Sequence, residues 1–278
     1  MNARLLFILL LFTIGALWYI IGYWRRKAGE AAFAAARLTE KSEERERYCR
    51  LAVMAGHREA CRMFCLLHPE RFDGHSPHKP FKLRGIRISF YGYYYPSRYN
   101  ALLNDEQRAF CHSIYQFKQG DIHGIEFFKT CMNALQLKKR PYHIMFMPCS
   151  NWIKYGQRFK RLDWYIGKHR QDLTSGLYDV DICDARESLH EAKGGEKRIL
   201  ERNYLITGKI KGKEIIIIDD VLTTGQSVAD YKEEIERCGG KVVAAIFYGK
   251  TFSMPSMLLV QIHIWGNHIA HIIERMTK

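Results

Sequence analysis

The sequence predicts an α/β protein with a mainly parallel β-sheet, preceded by an apolar N-terminal helix and a short helical segment. The four isoleucines at 215–218 and the run VVAAIF at 242–247 are apolar throughout, which is typical of strands buried on both faces of a parallel sheet. A helical pattern lies between them and indicates a βαβ unit. A charge-free run at 5–24 predicts the N-terminal helix.

Composition places the chain among globular proteins. Hydrophobic residues make up 47% and charged residues 26% of the 278 residues, which excludes disorder of the whole chain. The net charge of +14 favours anionic partners such as phosphorylated metabolites, nucleic acid or acidic lipid, or else reflects a basic surface near a membrane anchor. The eight cysteines form no CxxC pair, so we expect reduced thiols.

The N-terminal segment LLFILLLFTIGALWYIIGYW, Leu5 to Trp24, has the length of a transmembrane helix. Arg25, Arg26 and Lys27 follow it, and this excess of positive charge predicts that the body of the chain is cytoplasmic. We therefore expect a single-pass membrane anchor at residues 1–27. A cleaved signal peptide is the alternative, disfavoured because no A-x-A site closes the run.

Residues 28–78 predict a helical stalk. Alanine, glutamate, arginine and leucine dominate the segment, and we expect two helices that are separated near Gly56. The stretch YCRLAVMAGHREACRMFCLLH resembles one Sel1-like helix pair, and a plain helical hairpin explains it equally well, because such repeats need about three units to form a core.

The remaining residues, 79–278, predict the αβ domain. The aromatic and basic stretch at 82–100 favours a packed strand and loop over a surface for single-stranded nucleic acid. Helical patterns follow around 104–118 and 123–138, then the short strand HIMFM at 143–147. We expect the basic, amphipathic segment 154–173 to form a loop that runs into a helix. The charged stretch at 185–203 predicts either a surface connection or a loop that covers a substrate.

Two acidic residues follow the isoleucine strand. In open parallel sheets ligands bind beyond the carboxyl ends of the strands, so we expect the strand to end before Asp219 and Asp220. The residues from Thr223 to Ser227 lead into a helix whose first N–H groups favour a phosphate. Paired carboxylates accept hydrogen bonds from vicinal hydroxyls, so the pattern predicts a ribose 5-phosphate ligand.

The motif IIIIDDVLTTGQS resembles the phosphoribosyl pyrophosphate signature of type I phosphoribosyltransferases, which have a Rossmann-like parallel sheet. Further segments are similar to the ComF-like (amidophosphoribosyltransferase-like) branch of that family, namely MFMPCSN at 145–151, YGQRF at 155–159 and LERN at 200–203. The chain departs from that branch because YGQRF has no leading Arg-Gly and no cysteine-rich zinc finger is present.

The resemblance implies the roles of individual residues. Asp219 and Asp220 would be catalytic and hold the ribose hydroxyls, and the loop Cys149, Ser150 and Asn151 would surround the pyrophosphate. Arg158, Lys197 and Arg202 are candidates for cations that stabilise the leaving group. Magnesium is the implied cofactor, with no ligands identified. The full set implied to bind phosphoribosyl pyrophosphate is Asp219, Asp220, Val221, Leu222, Thr223, Thr224, Gly225, Gln226 and Ser227.

The implied activity is transfer of the phosphoribosyl group to an unidentified nitrogen acceptor, with release of pyrophosphate, by a membrane-anchored enzyme. The alternative is a non-enzymatic member of the fold that senses phosphoribosyl pyrophosphate or takes part in ComF-like DNA uptake and handling at the membrane. Nucleic acid as a partner rests on net charge and on the ComF likeness, because the chain contains no recognisable nucleic-acid-binding motif.

Overall fold

A computed structural model of the protein describes residues 3–122, 124–182 and 203–276. These residues fall into a helical unit, Met1–Gly74 with Ala101–Leu103 and Ser253–Lys278, and a larger αβ unit, His75–Asn100 with Asn104–Phe252. The boundaries expected from the sequence, 1–27, 28–78 and 79–278, stay a prediction.

The αβ unit is built on a six-stranded sheet with the strand order β1-β2-β8-β7-β3-β4. Every neighbouring pair is parallel except β1 and β2, so the predicted parallel sheet is confirmed. The strands β5 and β6 form a separate antiparallel pair. The strands are β1 (Phe81–Leu83), β2 (Ile86–Tyr94), β3 (Tyr142–Phe146), β4 (Leu173–Ser175), β5 (Val180–Ile182), β6 (Tyr204–Ile206), β7 (Glu214–Leu222) and β8 (Lys241–Thr251).

Burial explains why the central strands form. All four isoleucines of β7, Ile215 to Ile218, are fully buried, and the five residues of β3 are buried as well. Side chains alternate between the two faces of a strand, so a continuous buried run requires cover on both faces. Each buried isoleucine contributes about 1.5–3 kcal/mol of hydrophobic stabilisation. The isoleucine run therefore fixes β7 in the middle of the sheet.

Four α-helices lie among the described residues of this unit, and the two predicted near 104–118 and 123–138 are confirmed. The first is capped by a reciprocal pair of hydrogen bonds between Asn104 and Gln107. The expectation that 154–173 begins as a loop is wrong, because the Asn151 side chain accepts a hydrogen bond from the Lys154 N–H at 2.9 Å and caps a helix that already begins at Trp152. The helices are α5 (Asp105–Gln119), α6 (Ile125–Leu135), α7 (Trp152–His169) and α8 (Gln226–Arg237).

Helix α5 crosses the carboxyl ends of several strands in turn. The Phe110 side chain occupies the space that a Cβ atom on Gly92 of β2 would need, and Ile114 occupies the corresponding space at Gly249 of β8. These two glycines therefore let the helix approach the sheet closely. At its end, Gly120 adopts a φ of 81° and lies against the backbone carbonyl of Gln157 in α7. The helix is therefore fixed between the sheet and α7.

Three tyrosines of the aromatic stretch at 82–100 pack in the interior of the αβ unit. Tyr93, Tyr95 and Tyr99 are all buried, and Tyr93 and Tyr95 lie against the ring of Phe252. The packing interpretation is confirmed for these three tyrosines. Their rings are not available for stacking on nucleic acid bases.

The helical unit contains α1 (Ala3–Leu38), α2 (Ser42–Met54), α3 (Arg58–Leu67), α4 (Pro69–Asp73) and α9 (Met257–Met276). The break expected near Gly56 separates α2 from α3 and is confirmed. Cys49, Cys61 and Cys65 are buried, and the cysteines at described positions are free thiols, as expected. The likeness to a Sel1 helix pair stays a prediction.

The predicted localisation, a single-pass membrane protein with its body in the cytoplasm, is contradicted. No helix among the residues that the structure describes is both long and apolar enough to cross a bilayer. Helix α1 continues without a break through Arg25, Arg26 and Lys27.

The contact between α5 and α7 predicts a specific cost for Gly120→Ala. A Cβ atom at this position would lie 2.4 Å from the Gln157 carbonyl oxygen and would also strain a left-handed backbone. Gly212→Ala is a matched control, because Gly212 has a φ of 76° with no atom within 4 Å of the added Cβ. We expect urea denaturation to show a loss of about 1–2 kcal/mol for Gly212→Ala and a further loss of about 1–3 kcal/mol for Gly120→Ala. Equal losses would contradict this packing.

Candidate functional site

The acid pair, Asp219 and Asp220, lies within strand β7 rather than beyond its end. Strand β7 extends to Leu222 because β8 is long enough to pair with it there, with Asp219 opposite Phe247 and Leu222 opposite Lys250. The strand end expected before Asp219 is therefore wrong by several residues. The connection to α8 shortens to Thr223–Gly225, so the acid pair and the helix N-terminus are held close together by a short turn.

The two carboxylates are largely withdrawn from water. The side chain of Asp219 is 14% exposed and that of Asp220 is 9% exposed. The Asp220 backbone N–H donates a hydrogen bond to Asp219 Oδ1 at 2.7 Å. Adjacent buried carboxylates repel each other, so such a pair requires nearby cations.

Two cations from different helices converge on Asp220. Arg158 of α7 places Nη1 2.7 Å from Asp220 Oδ2 and 3.9 Å from Asp219 Oδ1. Lys118 of α5 places Nζ 3.5 Å from the same Asp220 oxygen. Burial alone would lower the pKa of Arg158, but the charge of Asp220, followed by Cys149 and Asp219, raises the pKa above its ordinary value. Arg158 therefore stays charged beside the acid pair.

The surroundings of Asp219 raise the pKa of its carboxyl group strongly. Burial and then the charge of Asp220 raise the pKa of Asp219 to about 7, while Arg158, the Asp220 N–H and Lys118 oppose this rise. A carboxyl that titrates near neutral pH marks a functional site more often than a structural one. The Asp219 carboxyl therefore changes its protonation state near neutral pH.

The loop expected to surround a pyrophosphate follows β3 and leads into α7. Asn203 Nδ2 donates to the carbonyl oxygens of Cys149 at 3.3 Å and Ser150 at 3.5 Å. Burial raises the pKa of the Cys149 thiol to about 12, so this cysteine stays protonated and is not a nucleophile. The loop thus offers hydrogen-bonding groups rather than a reactive thiolate.

The turn before α8 has the geometry of an anion site. Gly225 adopts a φ of 75° and caps the helix, and the Gln226 N–H donates to Thr224 Oγ1 at 3.4 Å. Thr223, Thr224, Gln226 and Ser227 are exposed. The first N–H groups of a helix have no partner within the helix, so this turn can bind an anion.

The structure brings some sequence-predicted residues together and leaves others undescribed. Arg158 contacts the acid pair, and Asn203 of the LERN segment contacts the loop at 149–151. Lys197 and Arg202 lie outside the described residues. Lys118 was not predicted, because it lies about a hundred positions before the acid pair in the sequence and its helix carries no recognisable motif.

Comparison with known proteins identifies one region of this chain as similar to a known domain. Residues 171–251 match the family model of the phosphoribosyl transferase domain. This range contains the acid pair and α8. The chain is also 42% identical over 57 residues to an orotate phosphoribosyltransferase of Sulfolobus acidocaldarius.

That alignment covers 20% of this chain and 26% of the relative, so the chain spans about a quarter of the relative's length. Neither match distinguishes the ComF-like branch, which stays a prediction. The region that carries the acid pair is therefore similar to phosphoribosyl transferase domains.

The raised pKa of Asp219 predicts how stability depends on pH. The folded protein holds this proton up to about pH 7, whereas the unfolded chain loses it near pH 4. This stabilising contribution is complete below about pH 4 and is lost as the pH rises through about 7. We expect the free energy of unfolding of Asp219→Asn to decline less than that of the wild type between about pH 4.5 and about pH 7.5.

Urea denaturation across this pH range measures the difference. Asp230→Asn, which removes an exposed carboxylate from α8, is the control and should keep the wild-type decline. If Asp219→Asn declined as steeply as the wild type, the Asp219 pKa would not be raised.

Proposed function

We propose that the protein binds phosphoribosyl pyrophosphate and transfers its phosphoribosyl group to a nitrogen acceptor, releasing pyrophosphate. One observation carries this proposal. A buried acid pair, neutralised by Arg158 and Lys118, lies one short turn before the N-terminus of α8, inside the region that matches the phosphoribosyl transferase domain.

Asp219 and Asp220 would accept hydrogen bonds from the two ribose hydroxyls. In the ligand-free protein the Asp220 carboxylate is occupied by Arg158 and Lys118. A bound ribose would take the place of part of these contacts, so the two cations become available to other anionic parts of the ligand. The exchange keeps the buried carboxylates hydrogen-bonded throughout.

The 5-phosphate would bind at the turn Thr223–Ser227, where the backbone N–H groups and hydroxyls supply donors. A Cβ atom at Gly225 would meet Leu83 Cδ2 at 2.5 Å, in addition to the strain of its positive φ. Glycine is therefore required to keep this turn in its anion-binding shape.

The pyrophosphate would lie toward the loop Cys149–Asn151, with Arg158 beside it. Magnesium, when bound, would neutralise charge on the pyrophosphate oxygens. The described residues contain no cluster of three or more metal-binding side chains. In phosphate sites Mg²⁺ takes one or two protein carboxylates together with phosphate oxygens and waters. The carboxylates of Asp219 and Asp220 would fit this requirement.

In the reaction, the nitrogen lone pair of the acceptor forms a bond to C1 of the ribose. The bond between C1 and the pyrophosphate oxygen breaks, and its electron pair leaves with the pyrophosphate. The nitrogen then loses a proton to water or to a nearby base. Positive charge develops on the ribose ring during this step, and the adjacent carboxylates stabilise it.

The DNA-handling alternative would use the aromatic stretch at 82–100 to stack on bases, but Tyr93, Tyr95 and Tyr99 of that stretch are buried. A non-enzymatic sensor of phosphoribosyl pyrophosphate would use the same acid pair and turn. Release of pyrophosphate on adding an acceptor separates the proposed transfer from sensing alone.

Isothermal titration calorimetry with phosphoribosyl pyrophosphate and Mg²⁺ tests the proposal. We expect the wild type to bind. The double variant Asp219→Asn, Asp220→Asn should bind at least about a hundredfold more weakly, because the charged hydrogen-bond acceptors for both ribose hydroxyls are lost. Asp230→Asn, which removes an exposed carboxylate from α8, should bind like the wild type. Failure of the wild type to bind would contradict the proposal.

A further inference from the structure

We propose that Asn203 is a positioning residue for the loop at 149–151. Its side-chain amide holds two carbonyl oxygens of the loop on one side, so that the N–H groups of Ser150 and Asn151 face the pyrophosphate on the other side. This inference rests on the proposed function and adds a residue that acts through the loop without touching the ligand.

The side chain of Asn203 contacts the loop from the interior of the αβ unit. Asn203 is 8% exposed, and its Nδ2 lies 3.3 Å from the Cys149 carbonyl oxygen and 3.5 Å from the Ser150 carbonyl oxygen. An amide nitrogen carries two N–H donors, so this one side chain can satisfy both carbonyl groups. The two carbonyl oxygens therefore point toward the same buried nitrogen.

The N–H groups of the loop point the opposite way. In a trans peptide unit the C=O and N–H bonds have opposite directions, and the described residues contain no cis peptide bond. The Cys149 carbonyl shares its peptide unit with the Ser150 N–H, and the Ser150 carbonyl shares its unit with the Asn151 N–H. Both N–H groups therefore point away from Asn203.

These two N–H groups have no acceptor among the described parts of the chain. Neither donates a hydrogen bond to a residue that the structure describes, although backbone N–H groups nearly always have a partner. Ser150 and Asn151 are both half-buried. Successive N–H groups that point the same way form a concavity that binds anions. The loop is therefore arranged to donate to an anion on the side away from Asn203.

The loop lies beside the acid pair. The Met147 N–H donates to the Ile218 carbonyl oxygen at 2.9 Å, so the chain leaves the sheet next to Asp219. Burial has the largest effect on the pKa of the Cys149 thiol, and the charges of Arg158 and the acid pair act on it as well. An anion that the loop binds would therefore also be close to Arg158.

Asn203 is itself fixed by its neighbours in the chain. The next residue, Tyr204, packs its ring edge-on against the buried ring of Tyr231 in α8, with centroids 5.4 Å apart at 85°. Beyond β6, the Gly208 N–H donates to the Asp179 carbonyl oxygen at 3.1 Å. The segment that carries Asn203 thus connects the loop to α8, the helix whose N-terminus would bind the 5-phosphate.

Calorimetry with three probes in the presence of Mg²⁺ tests the inference: phosphoribosyl pyrophosphate, inorganic pyrophosphate and ribose 5-phosphate. Asn203→Leu keeps a similar side-chain shape and removes the donor. We expect it to bind the two pyrophosphate-containing probes at least about tenfold more weakly, and ribose 5-phosphate within about twofold of the wild type. Asn133→Leu, which replaces an exposed asparagine of α6, is the matched control and should keep all three affinities.

A local readout separates a positioning role from a purely structural one. In protein with isotopically labelled serine, the Ser150 amide resonance is assigned by its absence in Ser150→Ala. It should shift on adding pyrophosphate to the wild type and to Asn133→Leu, and shift much less in Asn203→Leu.

An equal loss of affinity for all three probes, an unchanged affinity for pyrophosphate, or a Ser150 shift as large in Asn203→Leu as in the wild type would each overturn the inference. The proposed function fails separately. A wild type that does not bind phosphoribosyl pyrophosphate overturns both, whereas wild-type binding that Asn203→Leu retains in full overturns the inference alone.

Discussion

The ion pair between Arg158 and Asp220 is the interaction on which the rest of the site depends. Two adjacent carboxylates at the end of a buried strand would otherwise repel each other in surroundings that contain little water. Arg158 approaches both, and Lys118 approaches Asp220 from a second helix. The cations keep the carboxylates at the site without a ligand.

The packing of α5 connects this electrostatic arrangement to the fold. The helix lies across the carboxyl ends of β2 and β8, and close contacts at Gly92, Gly249 and Gly120 set its distance from the sheet and from α7. A small shift of α5 would move Lys118 relative to Asp220. Residues in the core of the αβ unit thus determine the geometry of polar groups at its edge.

The central strand and the turn of the candidate site could be predicted from the sequence. Four consecutive isoleucines followed by polar turn residues are typical of a strand with cover on both faces, so β7 and the turn before α8 were predictable from local pattern. The end of β7 was not, because pairing with a long β8 carried the strand through both aspartates. Lys118 was also missed, since only tertiary packing brings α5 to the acid pair. The apolar run at 5–24 suggested a membrane anchor, yet no helix among the described residues is long and apolar enough to cross a bilayer.

A crystal structure with phosphoribosyl pyrophosphate and Mg²⁺ tests the central claim most directly. The account predicts that both ribose hydroxyls lie within about 3 Å of the Asp219 and Asp220 carboxylate oxygens, and that Arg158 has left Asp220 for the pyrophosphate. A ligand bound elsewhere, with the contact between Arg158 and Asp220 intact, would contradict it.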